Sequence, residues 1–475
     1  MKARALCFLG LVAWAGLAGG QSPRQDWPMW GGTAHRNMVS ALKNLPDSWD
    51  AKSGTNIKWK TQLGSTSRGN PVVADGRIFV GTNNGNPRNP AIAGDKGVLL
   101  CLRESDGTFL WQAVTDKLDG DSDWPEEGVC SSPAVEGKRL YYVSNRSELV
   151  CLDTEGLTDG RNDGSFQDET YKGLTDADII WKLDMRKDLG VVPLFMAASS
   201  PVIWEDLVFV VTPNGRDSAD EKVLAPKAPS FLAVNKETGK VVWQDNSPGE
   251  NILHGQWGSA SVGIVDGVAQ ALFPGGDGWL YAFNPRTGEQ IWRFDLNPKD
   301  AVWPKTRNYG ISTPVFSDGQ VFMSVGQDPD HPNGVGHTYC IRPGGKGDIT
   351  ASGRVWQYDQ IRRSISTAAV ADGLVYVADM KGVLHCLDAK TGKPYWTYDT
   401  LSPVWGSPLV ADGKVYIGDQ DGDVAVLKAG QELKKIAEID MGDSVHSTPV
   451  PANGVLYVMT QSALYAITAP GSPKR

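Results

Sequence analysis

Two runs of alternating aspartates, Asp119-Asp121-Asp123 and Asp419-Asp421-Asp423, have the spacing that gathers carboxylate oxygens around calcium. Neither completes a calcium loop of the helix-loop-helix kind. Trp124 and Val424 stand where the loop's glycine belongs, and Cys130 and Gly430 where its bidentate Glu belongs. The first run is therefore read as a solvated loop and the second as a strand turn, with calcium as the alternative for both. The stretch from Thr154 to Asp178, with Asp159, Asn162, Asp163, Asp168 and Glu169, is read in the same order. Asp328-Pro329-Asp330-His331 is an inserted turn before it is a metal site, and His254 and His337 read as satisfied loop histidines. The patterns for phosphoryl transfer, zinc peptidase and serine hydrolase chemistry are all missing from the sequence.

The elements that must position such residues begin after an address. Lys2 and Arg4 precede an apolar run from Ala5 to Leu17, and Ala18, Gly19 and Gly20 follow, as in a secretory signal peptide cleaved near Gly20. The run is shorter than the ~20 residues of a membrane-spanning helix, and no later stretch supplies one. Gln21 follows the expected cleavage point where a lipoprotein would need Cys, so no lipid anchor is expected. The mature chain is expected outside the cytoplasm, in the periplasm or secreted. A net charge of −9 excludes nucleic acid as the main partner, because phosphate binding needs a cationic footprint. With 41% hydrophobic residues and 17 Trp, the chain has ample apolar surface to bury. Removing Cys7 with the leader leaves Cys101, Cys130, Cys151, Cys340 and Cys386, without a C-x-x-C or an adjacent pair. Cys101, Cys151, Cys340 and Cys386 sit in apolar frames such as Leu100-Cys101-Leu102 and read as small core residues.

A repeat organises the rest. Segments like Ser407-Pro408-Leu409-Val410-Ala411-Asp412-Gly413-Lys414-Val415-Tyr416-Ile417-Gly418 recur, marked by Pro71, Pro133, Pro201, Pro314, Pro408 and Pro449, with Ser261 and Ala368 at the same place in two more. That makes eight units, and Pro408 to Pro449 spans the ~40 residues of a four-stranded propeller blade. Asp75-Gly76, Glu136-Gly137, Asp266-Gly267, Asp318-Gly319, Asp372-Gly373, Asp412-Gly413 and Asn453-Gly454 predict type I′ hairpins, because both central residues there need positive φ. Each unit closes on a tryptophan: Trp111, Trp181, Trp243, Trp292, Trp356 or Trp396. Only the seventh departs, with Leu433 to Met441 in that place, which predicts looser outer contacts. Trp59 ends an orphan element ahead of the first unit, while the last unit stops at Ile467 without an outer strand. The N-terminal strand is therefore predicted to complete blade eight, which removes two free sheet edges.

The Thr-Gly-x-x-x-Trp elements at Thr238, Thr287 and Thr391, in eightfold register, resemble the tryptophan-docked repeats of pyrroloquinoline-quinone (PQQ) type β-propellers. Asp26-Trp27-Pro28-Met29-Trp30-Gly31-Gly32 is similar to the leader of the BamB-like secreted branch of that group. The resemblance implies an all-β, eight-bladed propeller over residues 49–468, after a signal peptide at 1–20 and an extension at 21–48 and before a tail at 469–475. It also implies two kinds of function. One branch holds PQQ over the axis with calcium on Glu, Asn and Asp, a catalytic Asp, a Trp floor and a disulfide between adjacent cysteines. The other is non-catalytic and offers a rigid surface to envelope proteins or polymers.

In a propeller the residues just before each innermost strand converge on one mouth of the axis. This picks out Arg68, Cys130, Trp257, Tyr309, Arg363, Trp405 and His446, whose aromatic rings and two cations could grip an anionic or sugar-like ligand. The alternative is that they plug a wet channel. The expected function is a non-catalytic binding or scaffold protein of the cell envelope, with an unknown envelope protein or polymer as partner and no cofactor. The alternatives are a PQQ-dependent alcohol dehydrogenase with calcium and an envelope carbohydrate- or polymer-binding propeller.

Overall fold

The computed structural model describes residues 24–327 and 334–471; the expected signal peptide and the Asp328–His331 turn lie outside them. Eight antiparallel sheets, each built on four strands, follow one another along the chain. In the first blade Val72–Ala74, Arg77–Asn83, Lys96–Arg103 and Phe109–Asp116 run from the axis outward. Six of the seven expected hairpins have positive φ at both central residues, as at Asp412 (52°) and Gly413 (69°). Glu136-Gly137 differs. Glu136 pairs with Arg139, so Gly137 is the first central residue and it alone of the two has positive φ, which is the II′ pattern.

The ring closes with the N-terminal strand. Ile57–Gln62 pairs antiparallel with Ala463–Ile467, and Trp59 stands opposite Ala466. In every blade the outermost pairing carries a register shift just before the tryptophan position. A bulge there bends the strand and re-aims the next side chain, here toward the neighbouring blade. The indole N–H of Trp59, Trp111, Trp181, Trp243, Trp356 and Trp396 donates to a backbone carbonyl of the following blade, at 2.7–3.1 Å. Five of these indoles also lie against a glycine of that blade: Gly107, Gly156, Gly239, Gly288 and Gly392. Trp292 turns back to Gln270 Oε1 of its own blade. In the seventh blade Ala437 occupies the tryptophan place and leaves Leu433 and Ile436 exposed, while Trp49 is buried nearby with its indole N–H on Met441 Sδ.

The segment ahead of the propeller is part of the ring's base. Between Gln25 and Met38 it bonds in turn to Asn453, Val73, Val135, Val262, Phe316, Val370 and Val410. Those partners lie in blades eight, one, two, four, five, six and seven. Arg36 reaches the third: fully buried, it donates to Ser200 O and Pro201 O there, to Ala260 O of the fourth, and to Trp30 O. Burial opposes the guanidinium's charge, and four carbonyl acceptors offset it. One mouth of the axis is thereby sealed by chain that touches all eight blades.

Two glycines share φ +69° and differ in one neighbour. A Cβ on Gly392 would lie 2.7 Å from the Trp356 ring, whereas a Cβ on Gly413 meets nothing within 4 Å. Both Ala variants carry the left-handed backbone strain of roughly 1–2 kcal/mol. Gly392→Ala is expected to lose about 2 kcal/mol more in a denaturant titration, because the docked indole must move. Equal losses would show that this docking contributes nothing.

Candidate functional site

What holds the open mouth is a belt of small polar residues just before the repeat proline. The backbone N–H of one blade donates to the side-chain oxygen of the next: Asn70 to Ser132, Ser132 to Ser200, Ser200 to Ser259, Thr367 to Ser407, Ser407 to Thr448 and Thr448 to Asn70. The belt fixes the register of each inner strand. It places Ala260, not Ser261, at the repeat position of the fourth blade, since Val262 takes the leader bond that Val73 takes in the first.

Two residues ahead of the belt, a ring faces the axis: Arg68, Cys130, Ala198, Trp257, Ile311, Ile365, Trp405 and His446. Of the residues expected at the mouth, Arg68, Cys130, Trp257, Trp405 and His446 therefore share one cavity of about 220 Å³. Tyr309 and Arg363 do not line it. Each lies two positions too early, and Ile311 and Ile365 take their places. Tyr309 is wholly buried behind the wall, its ring 6.1 Å from that of Trp257, with its backbone N–H on Gly326 O. Arg363 is buried, and a Cβ on Gly334 would lie 2.6 Å from its Nε. Trp30, from the sealing segment, lines the lower part of the channel and bonds Thr313 Oγ1.

Two inserted loops complete the wall. Trp124 N–H donates to Phe195 O, and the two rings lie 4.5 Å apart; Phe195 also stacks toward Trp257, whose indole N–H bonds Leu194 O. Phe195 holds this place at φ 62°, an uncommon conformation for a bulky residue. From the same loop as Trp124, Glu127 takes Arg68 in a two-pronged pair, Nε at 2.7 Å and Nη2 at 2.9 Å. The third Arg68 nitrogen bonds His446 Nδ1, and the guanidinium lies 5.2 Å over Trp405, which stacks on His446 at 5.1 Å. Glu127, Trp124, Phe195 and Met196 escape sequence reasoning because their loops have no counterpart in the repeat.

Burial and the Arg68–Glu127 pair set the electrostatics of the cavity. Burial opposes the Arg68 charge, but Glu127 outweighs it and raises the pKa. Burial, helped by Arg68, pushes His446 down to about 3, so the imidazole stays neutral and accepts at Nδ1. Burial raises the Cys130 thiol, which stays protonated. The cavity has one carboxylate, and Arg68 engages both its oxygens. That is not the Glu, Asn and Asp set which calcium-loaded PQQ requires, and the cysteines include no adjacent pair.

The other sequence candidates are engaged in structural contacts. Asp123 accepts from Lys117, Leu118 N–H and Asn145, and Asp419 Oδ1 caps its turn through Gly422 N–H and Asp423 N–H. His254 pairs with Asp220 at 2.6 Å and His337 with Asp359 at 2.7 Å. The five cysteines among the described residues are buried and free.

The fold and its docked indoles define an eight-bladed PQQ-repeat propeller. Residues 174–328 and 345–435, just over half of the chain, match the family model described as outer membrane protein assembly factor BamB, and the chain belongs to that family. It is 25% identical to the outer membrane protein assembly factor BamB of Yersinia pestis over 77% of this chain and 74% of that one. It is also 25% identical to a polyvinylalcohol dehydrogenase of a Pseudomonas species over 54% of this chain, which spans only 43% of that relative. Among solved structures, BamB from Moraxella catarrhalis superposes with a TM-score of 0.54 at 14% identity, covering 87% of this chain and 99% of the other. The quinohemoprotein alcohol dehydrogenase of Comamonas testosteroni gives 0.51 at 13% identity, covering 94% and 81%. Likenesses this remote show the fold alone. Among the described residues no helix is long and apolar enough to cross a membrane.

The buried imidazole makes a pH prediction. Folded His446 binds a proton only near pH 3, whereas in the unfolded chain it does so near 6.5, so the unfolded state holds more protons in between. Stability should therefore fall as pH drops from about 6.5, and His446→Gln should abolish that component. The wild-type advantage over the variant is expected to shrink by on the order of 3 kcal/mol between pH 7 and pH 4, read from denaturant titrations. Parallel profiles would contradict a neutral His446.

Proposed function

We propose that the chain is a non-catalytic binding propeller of the cell envelope, which receives an apolar or aromatic side chain of a partner polypeptide in its open axial mouth. The observation that carries this reading is the wall of Trp124, Phe195, Trp257 and Trp405 around a cavity whose only ion pair is satisfied within the wall. Such a site grips by stacking and apolar burial. Membership in the BamB-like family supports an envelope polypeptide as partner. Export fits the chain's architecture: the base is already engaged at Gln25, so cleavage near Gly20 would spare the sealing segment.

Intrinsic tryptophan fluorescence of the mature protein, titrated with short peptides rich in Phe and Trp, tests the reading. Saturable binding is expected, with no response to Ser- and Gly-substituted peptides. Trp405→Ala should weaken binding about tenfold, since an aromatic contact is worth roughly 1 kcal/mol beyond its buried area. The same protein incubated with PQQ and calcium should show no quinone absorbance and no alcohol-dependent dye reduction. Turnover there would sink the proposal in favour of a dehydrogenase, and binding of oligosaccharides instead of peptides would favour a polymer-binding propeller.

A further inference from the structure

The axial pocket has two tiers, which share one ring of side chains. In the upper tier the inserted loops add Trp124 and Phe195 to Trp257, Trp405, Ile311 and Ile365, so the wall is apolar and largely aromatic. In the lower tier the lining changes character. Ser132, Ser200, Ser259, Thr313 and Thr367, from blades two to six in turn, face the axis together with Trp30 of the sealing segment. None of the five is more than 6% exposed.

The lower hydroxyls are held as acceptors. Ser132, Ser200 and Ser259 Oγ each take one backbone N–H of the belt, and Thr313 Oγ1 takes the Trp30 indole N–H. A hydroxyl that accepts still has its own proton to give. Among the described residues none of these four gives it to a protein atom, and Thr367 Oγ1 makes no hydrogen bond within the protein. Other polar groups of the tier do not use them. Asn70 spends both ends of its amide on Thr448, and Arg68, the one charged side chain that reaches this tier, is closed on Glu127.

The two tiers ask different things of one occupant. The upper takes a flat apolar body, and the lower takes a neutral tip that can exchange hydrogen bonds with hydroxyls. A carboxylate or phosphate tip would enter the lower tier without a free cation to meet it. A sugar carries hydroxyls around its whole edge and would turn them against Ile311, Ile365 and the indoles. A phenylalanine satisfies the upper tier and covers the hydroxyls with a ring edge that cannot bond them. A phenol has apolar faces and a single O–H at its far end, and it stays neutral to about pH 10. The belt lies two residues below the shared ring, at most about 7 Å along the chain, a depth that one aromatic side chain spans.

We infer that the occupant is a tyrosine side chain of the partner polypeptide, its ring inside the aromatic wall and its phenolic O–H among the hydroxyls of Ser132, Ser200, Ser259, Thr313 and Thr367. This assignment rests on the reading of the mouth as a polypeptide-binding site and adds to it the residue that is read. A site built around hydroxyl hydrogen bonds discriminates against the analogue that lacks the hydroxyl.

Calorimetric titration of the mature protein with end-capped Ser-Gly peptides that carry one central Tyr or Phe tests the assignment. The Tyr peptide is expected to bind at least tenfold more tightly than the Phe peptide. Thr367→Val, which removes a hydroxyl that makes no belt bond, should cut that preference to about threefold or less and leave the Phe affinity unchanged. Thr313→Val carries the same expectation should the first variant fold poorly. Trp405→Ala should weaken both peptides alike. Equal affinities for Tyr and Phe, falling together in Trp405→Ala, would overturn the tyrosine assignment and leave the aromatic mouth standing, whereas no binding of either peptide would overturn both. Oligosaccharide binding that depends on Thr367 would give the hydroxyls to a sugar and overturn the assignment as well.

Discussion

A single contact, repeated around the ring, carries the architecture: an indole on an outer strand lies over a glycine of the next blade and gives its N–H to that blade's backbone. The contact combines a large apolar burial with one directed hydrogen bond, so it sets both distance and angle between neighbouring sheets. Three features shape its geometry. The bulge aims the ring, a glycine leaves room for it in five of the six docked cases, and a second aromatic from the same blade backs it, as Phe79, Tyr141 and Tyr376 do near 5.9 Å for Trp111, Trp181 and Trp396. Where one part is missing the local solution changes. Trp292 bonds inward, and the seventh blade borrows Trp49 from the segment before the propeller.

The docked ring fixes the blades from outside, and two further layers fix them from inside. The hydroxyl belt ties neighbouring inner strands near the open mouth, and the segment from Gln25 to Met38 ties them at the closed one. The axial cavity is therefore a blind pocket on a rigid frame, and only the inserted loops that carry Trp124, Glu127 and Phe195 are free of the repeat. A frame of this kind holds a binding surface steady while loops vary, which matches a family whose members share the propeller and differ in what they do.

The architecture was legible because its signals repeat. Closing tryptophans, with the orphan Trp59 element, mark seven of the eight blades and Gly turns also mark seven, so one misread copy changes nothing, and the closure by Ile57–Gln62 follows from counting strands. The mouth was legible only in part. Arg68, Trp257, Trp405 and His446 fall where expected. Tyr309 and Arg363 lie two residues short of the axis positions, because the belt at Thr313 and Thr367 sets the register and puts two isoleucines there. A two-residue slip keeps a strand's facing direction, so alternation could not expose the error. The sealing segment reads from sequence as a mere extension because its contacts run through backbone groups, Asn37 and Arg36, which no composition or period announces.

The claim on which all this rests is that Trp59 locks blade eight to blade one and so closes the ring. Hydrogen exchange of the mature protein and of Trp59→Ala, followed peptide by peptide, tests it most directly. The account predicts faster exchange in the variant on both sides of the seam, at 463–467 and at 103–108, where Trp59 meets Glu104 and Gly107, together with a lower melting temperature for the whole chain. Unchanged protection at 103–108, with loss confined to the N-terminal strand, would show that the strand merely decorates a ring held closed by other means.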